Sequence, residues 1–76
     1  MLQITTESGA VYLWDAGQER VKRVEGPEIL NGDEWGDEWQ HRIPISWGVK
    51  VGFPVYWVNA ENRARITTPV TKIEEV

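Results

Sequence analysis

"LQITTESGAVYLWD", residues 2–15, decides the fold class of this chain of 76 residues. Leu2 and Ile4 alternate with Gln3 and Thr5, which is the two-residue period of a strand with one buried face. Ser8-Gly9-Ala10 then supplies turn chemistry, with Gly9 free to adopt positive φ. "VYLWD" follows as a second strand. Val11 and Leu13 fall on one side of it and Tyr12 and Trp14 on the other, so both sides call for cover and the strand is expected at the centre of a sheet.

The same rhythm runs on in both directions from this hairpin. No segment of helical length carries a 3.6-residue apolar stripe, so the expectation is an all-β protein. "AGQ" (16–18) turns the chain into "ERVKRVE" (19–25). Val21 and Val24 are three residues apart and cannot share one face of a regular strand, which predicts a bulge or kink. "GPE" (26–28) ends that strand, and Asn31-Gly32 is a strong hairpin signal. In "WQHRIPI" (39–45), Trp39, His41, Ile43 and Ile45 fall on one face.

"VKVGFPVYWV" (49–58) is the most hydrophobic stretch. Gly52 marks a sharp bend, and Phe53, Val55 and Trp57 share a face expected to floor the core. "NAENR" (59–63) is a surface turn, and "ARITTPVTKIEE" (64–75) closes the chain with a β run that Pro69 must kink or hold at an edge. Five or six short strands around one core predict a single domain over residues 1–76, a small open barrel or rolled antiparallel sheet of the SH3-like kind. An OB-like barrel is the alternative.

Size and composition bound the possibilities. A chain this short buries only about 60% of the surface its unfolded form exposes. There is no cysteine, so neither a disulfide nor a thiolate zinc site can add stability. Five tryptophans compensate, each able to bury roughly 150–250 Å². The net charge of −4 works against phosphate backbones. Nucleic-acid binding is therefore not expected, although Arg20, Lys22, Arg23, Arg63 and Arg65 could converge near Tyr12 or Trp14 as in single-strand binders. The ordinary reading of those cations is a solvated outer face. The N-terminal residues lack a basic and an apolar region, and no run approaches a membrane span, which predicts a soluble, cytoplasmic protein.

Taken together, "TTESGAVYLWD", the basic strand "VKRV", a turn ending in Glu-Trp, "VGFPVYW" and the closing "RITTPVTKIEE" are similar to a group of short uncharacterised proteins of actinobacteriophages and their hosts. The resemblance spans most of the chain. It implies a viral or mobile-element origin and a setting in the host cytoplasm, and it carries over no functional residue. The doubled "GDEW" (32–39) departs from the single such turn of that group.

That doubled tetrapeptide is the candidate site. From Glu25 to Glu38 there are six acids and no basic residue, a local negative field. Asn31 could cap a short helix with Glu34 at its third position, or Asn31-Gly32 could turn a hairpin. The glycines and the like-charge pairs Asp33/Asp37 and Glu34/Glu38 favour the hairpin tip. An EF-hand register with Gly36 at its sixth position puts Trp35 and Arg42 where oxygen ligands belong, so no metal is expected. His41 is the sole histidine and has no thiol or imidazole partner. A triad could draw only on Ser8 or Ser46 with His41, and neither serine sits in a nucleophile elbow. The acids cluster on one connection rather than facing across a cleft. No enzyme activity and no cofactor are expected.

What remains is a choice between a solvated cap on the barrel and a recognition surface made of Asp33, Glu34, Trp35, Asp37, Glu38 and Trp39. In the second reading an aromatic anchor among carboxylates engages a protein partner. Trp39 has a place in the core, whereas Trp35 is harder to bury. The resulting expectation is a non-catalytic protein-binding module, monomeric or weakly self-associating, that acts on a host protein or on copies of itself. A structural virion or assembly component is the alternative, and a DNA mimic a more distant one.

Overall fold

A computed structural model describes residues 1–26 and 38–76. Among the described residues there is no helix, and therefore none long and apolar enough to cross a membrane. The described residues form eight short strands: β1 (Leu2–Thr6), β2 (Val11–Asp15), β3 (Arg20–Glu25), β4 (Gln40–His41), β5 (Ile43–Ile45), β6 (Tyr56–Val58), β7 (Ala64–Ile66) and β8 (Val70–Glu75). They form a five-stranded sheet in the order β4-β3-β2-β1-β8 and a three-stranded sheet in the order β5-β6-β7. All strand pairs within both sheets are antiparallel.

The opening hairpin forms as its pattern requires. Leu2 pairs with Trp14 and Ile4 with Tyr12, Gly9 takes φ +88° in the turn, and β2 lies centrally between β1 and β3. The two valines of β3 are resolved by a bulge. Tyr12 pairs with Arg23 and Val11 with Glu25, leaving Val24 without an opposite number. Val21 is fully buried and Val24 exposed. A second bulge lies where Thr5 pairs with Lys72 and Thr6 with Val70, and β8 brings the two ends of the chain together along β1.

Pro69 breaks the closing run into β7 and β8, so the two halves serve different sheets. Thr67 holds the break: its hydroxyl accepts the Val55 N–H at 2.9 Å and donates to the Thr68 carbonyl at 2.7 Å.

The core lies between the two sheets. Ile4, Ala10, Tyr12, Trp14, Val21 and Val70 from the larger sheet and its hairpin meet Val55 and Trp57. The indoles of Trp14 and Trp57 lie 5.1 Å apart between centroids, tilted by 57°, a favourable aromatic geometry that fastens one sheet to the other. Val55 and Trp57 are fully buried as their alternation predicts, but Phe53 is 48% exposed. The chain bends at Gly52, at φ +92°, and the Phe53 carbonyl is committed to the Val70 N–H at 2.9 Å. Its ring consequently turns away from the core and stands 5.9 Å from that of Trp47, which is itself 40% exposed.

A candidate docking surface on the three-stranded sheet

Of the expected acidic-aromatic surface, Asp33, Glu34, Trp35 and Asp37 lie outside the described residues. Glu38 is exposed and Trp39 half-buried. Trp39 does not enter the core. The Arg20 guanidinium stands 4.3 Å from its ring centroid and the Lys22 ammonium 5.0 Å. Both cations project from the outer side of β3, so cation–π attraction holds the indole against that outer side. Two of the three cations of the basic strand thus serve an aromatic of the same chain, and Arg20 also meets Asp15 at 3.2 Å.

The remaining basic residues do not converge on a stacking platform. Arg23 lies beside Tyr12 on the inner row of the larger sheet, Arg65 is buried, and Tyr12 and Trp14 are themselves core. Burial pushes the Tyr12 phenol above its ordinary value of 10.0, and the positive charges of Arg23 and Arg65 oppose the rise.

The outer faces of the two sheets differ sharply in chemistry. On the five-stranded sheet the row Glu74, Gln3, Leu13, Lys22 and the row Asp15, Arg20, His41 are mostly polar or charged, as a solvated face should be. On the three-stranded sheet Trp57 points inward with Pro44 and Arg65 beside it. The outward rows are therefore Ile43, Val58, Ala64 and Ile45, Tyr56, Ile66. No charged side chain interrupts them. Ile43 is 41% exposed, Ile45 37% and Ile66 51%. Isolated exposed isoleucines are ordinary, but a contiguous apolar sheet face is the mark of an interaction site.

One end of this face opens into a pocket of about 230 Å³, lined by Glu19, His41, Arg42, Ile43, Val58, Asn59 and Ala60. Ile43 and Val58, a directly opposed pair, belong to both pocket and face. The volume is below the roughly 300–1,000 Å³ of small-molecule sites. One backbone and one side-chain bond position Arg42 in the pocket wall: its N–H donates to the Glu19 carbonyl at 3.2 Å, and its Nε donates to Gln40 Oε1 at 3.0 Å.

Arg65 is the anomaly of the interior. It is 3% exposed, and its Nε and both terminal nitrogens are shielded from solvent with no hydrogen-bond partner among the described residues. A buried guanidinium without a carboxylate is costly.

As for chemistry, the Ser8 hydroxyl is engaged with those of Thr6 and Thr68 at 3.2 and 3.3 Å, and His41 lies on the pocket wall. Among the described residues no group of three His, Asp or Glu side chains is placed to hold a metal ion.

The sequence shows Ile43 and Ile45 sharing a face but not that this face is the outer one. The available signal was β6, where Tyr56 and Val58 are apolar at the positions alternate to Trp57. A strand apolar on both sides in so small a protein implies that one side awaits cover. The chain matches no known family model, no curated protein and no solved structure.

Proposed function

We propose that this protein is a non-catalytic protein-binding module that docks through the outer face of β5, β6 and β7, with the adjoining pocket receiving an anchor side chain. The observation that carries the proposal is the contrast between the two outer faces, one charged and polar, the other an uninterrupted apolar patch. The apolar pocket wall formed by Ile43 and Val58 extends it into a concave feature of the kind that binds interface hot spots. The motif resemblance to short actinobacteriophage proteins supports a setting in a host cytoplasm, with a host protein as partner.

A photo-reactive amino acid placed at position 66 should cross-link to a discrete protein in the cells that make this chain. The same group at position 3, on the polar face, should not. The double variant Ile43→Asp, Ile45→Asp should abolish the adduct, and it alters only exposed positions. Equal labelling from positions 66 and 3 would overturn the proposal, and an adduct to a second copy would redirect it to self-association.

A further inference from the structure

We infer that the pocket beside the docking face receives a lysine side chain of the partner, with its alkyl stem against Ile43, Val58 and Ala60 and its ammonium at Glu19. The inference rests on the docking surface proposed above and identifies the anchor that this surface receives.

One wall of the pocket is apolar and held by backbone bonds. Ile43 and Val58 oppose each other across β5 and β6, and Ala60 stands in the turn that follows. That turn is closed by the Asn62 N–H donating to the Asn59 carbonyl at 3.0 Å. Asn59 Oδ1 accepts the N–H groups of Glu61 and Arg63 at 3.1 and 2.9 Å. A wall set before a ligand arrives keeps the ordering cost of binding low.

Glu19 lines the pocket from the turn between β2 and β3. Its N–H donates to the Ala16 carbonyl at 3.3 Å, and its carbonyl accepts the Arg42 N–H. These bonds hold it at φ +50°, in the left-handed region where a residue with a Cβ is disfavoured and glycine is not. Gly17 lies in the same turn at a position that needs no positive φ. A glutamate thus occupies the place where a glycine would be less strained, and such strain gathers at functional sites.

Glu19 is exposed and is the only acid among the lining residues. Among the described residues it forms no ion pair. Residues 27–37 contain no Lys, Arg or His to offer it one.

Each class of occupant meets that carboxylate differently. A purely apolar side chain displaces water from it and puts no polar group in its place. An anion is repelled by it and by the net charge of −4. Arg42 does not reverse this, because its side chain is buried and its Nε is committed to Gln40. Arginine brings a planar fork that needs several acceptors in fixed directions, which one exposed carboxylate does not supply. Lysine matches both parts of the pocket, since its stem packs on apolar surface while its ammonium stays at the solvent edge. Because Ile43 and Val58 belong to pocket and face alike, the partner presents this lysine at the border of an apolar patch.

The test titrates the intact 15N-labelled chain with three probes at constant ionic strength: n-butylammonium, which is the lysine side chain without its backbone, 1-butanol and butyrate. Each is taken to about 100 mM, the range in which ligands this small bind. Resonances of Glu19, Ile43, Val58 and Ala60 should shift with n-butylammonium. It should bind at least about threefold more tightly than butanol, the scale of one partly exposed ion pair, and butyrate should bind more weakly than either. Glu19→Gln should lower n-butylammonium to the level of butanol and leave butanol itself unchanged. Glu19→Gly, which suits the left-handed backbone, should keep the fold and act in the same way. Equal affinity for the ammonium and the alcohol, tightest binding of butyrate, an ammonium preference that survives Glu19→Gln, or no response at the pocket would each overturn the inference. If the ammonium preference fails while position 66 still cross-links, only the identity of the anchor is lost; if that cross-link fails, the docking surface itself is lost.

Discussion

Replacing Arg65 by methionine should make the free protein more stable. The side chain is 3% exposed and sits opposite Trp57 on the inner side of β7, with all three guanidinium nitrogens shielded and without a hydrogen-bond partner among the described residues. Methionine has similar length and no charge to desolvate. Substituting well-packed apolar residues for buried ionic groups is often stabilising by about 1–4 kcal/mol even where the ions are paired, and here no pairing offsets the desolvation. For a chain of 76 residues the total stability is about 4–11 kcal/mol, so the gain is a sizeable fraction of the whole. It corresponds to a rise in Tm of at least about 4 °C. Urea unfolding followed by tryptophan fluorescence gives the free energy, and calorimetry the midpoint. An unchanged m-value would show that the unfolded state is not the cause. A loss of about 3 kcal/mol or more in Arg65→Met would refute the reasoning, since that is the signature of breaking a satisfied buried ion pair.

Trp57→Ala removes a fully buried indole that joins the two sheets and should cost about 3–5 kcal/mol, a large share of that total stability; a cooperative melt close to that of the parent would contradict its place in the core. Gly26→Ala and Gly9→Ala should differ although both glycines have positive φ. A Cβ on Gly26 runs into the backbone of Gly9 and Ala10, whereas one on Gly9 meets open space, so the first should lose about 1–3 kcal/mol more than the second in chemical denaturation. Tyr12 has a folded-state pKa above its unfolded value of 10.0, chiefly through burial. Its contribution to stability is therefore complete below pH 10 and is lost as pH rises through the higher folded value. Unfolding free energies measured from pH 8 to 12 should fall more steeply for the parent than for Tyr12→Phe, and parallel curves would remove Tyr12 as the cause.

Much of this architecture was already determined by the sequence. Alternation in residues 2–15 around Gly9 specified the first hairpin, since a two-residue period with a turn glycine has few other solutions. The spacing of Val21 and Val24 required a bulge, and the bulge leaves Val24 unpaired. Pro69 had to interrupt a ladder, and it divides β7 from β8. These are local consequences of backbone sterics and hydrogen bonding.

Which side of a strand faces in was legible only in part. In the run 49–58 the sequence already set Val55 and Trp57 on the core face, and both are buried. In β5 it put Ile43 and Ile45 on one face without saying which, and only their pairing opposite Val58 and Tyr56, the residues alternate to Trp57, made that face the outer one. Likewise Phe53 had the right parity for the core, yet the bond from the Val70 N–H to its carbonyl, 17 residues apart in the chain, fixed a bend that expelled it.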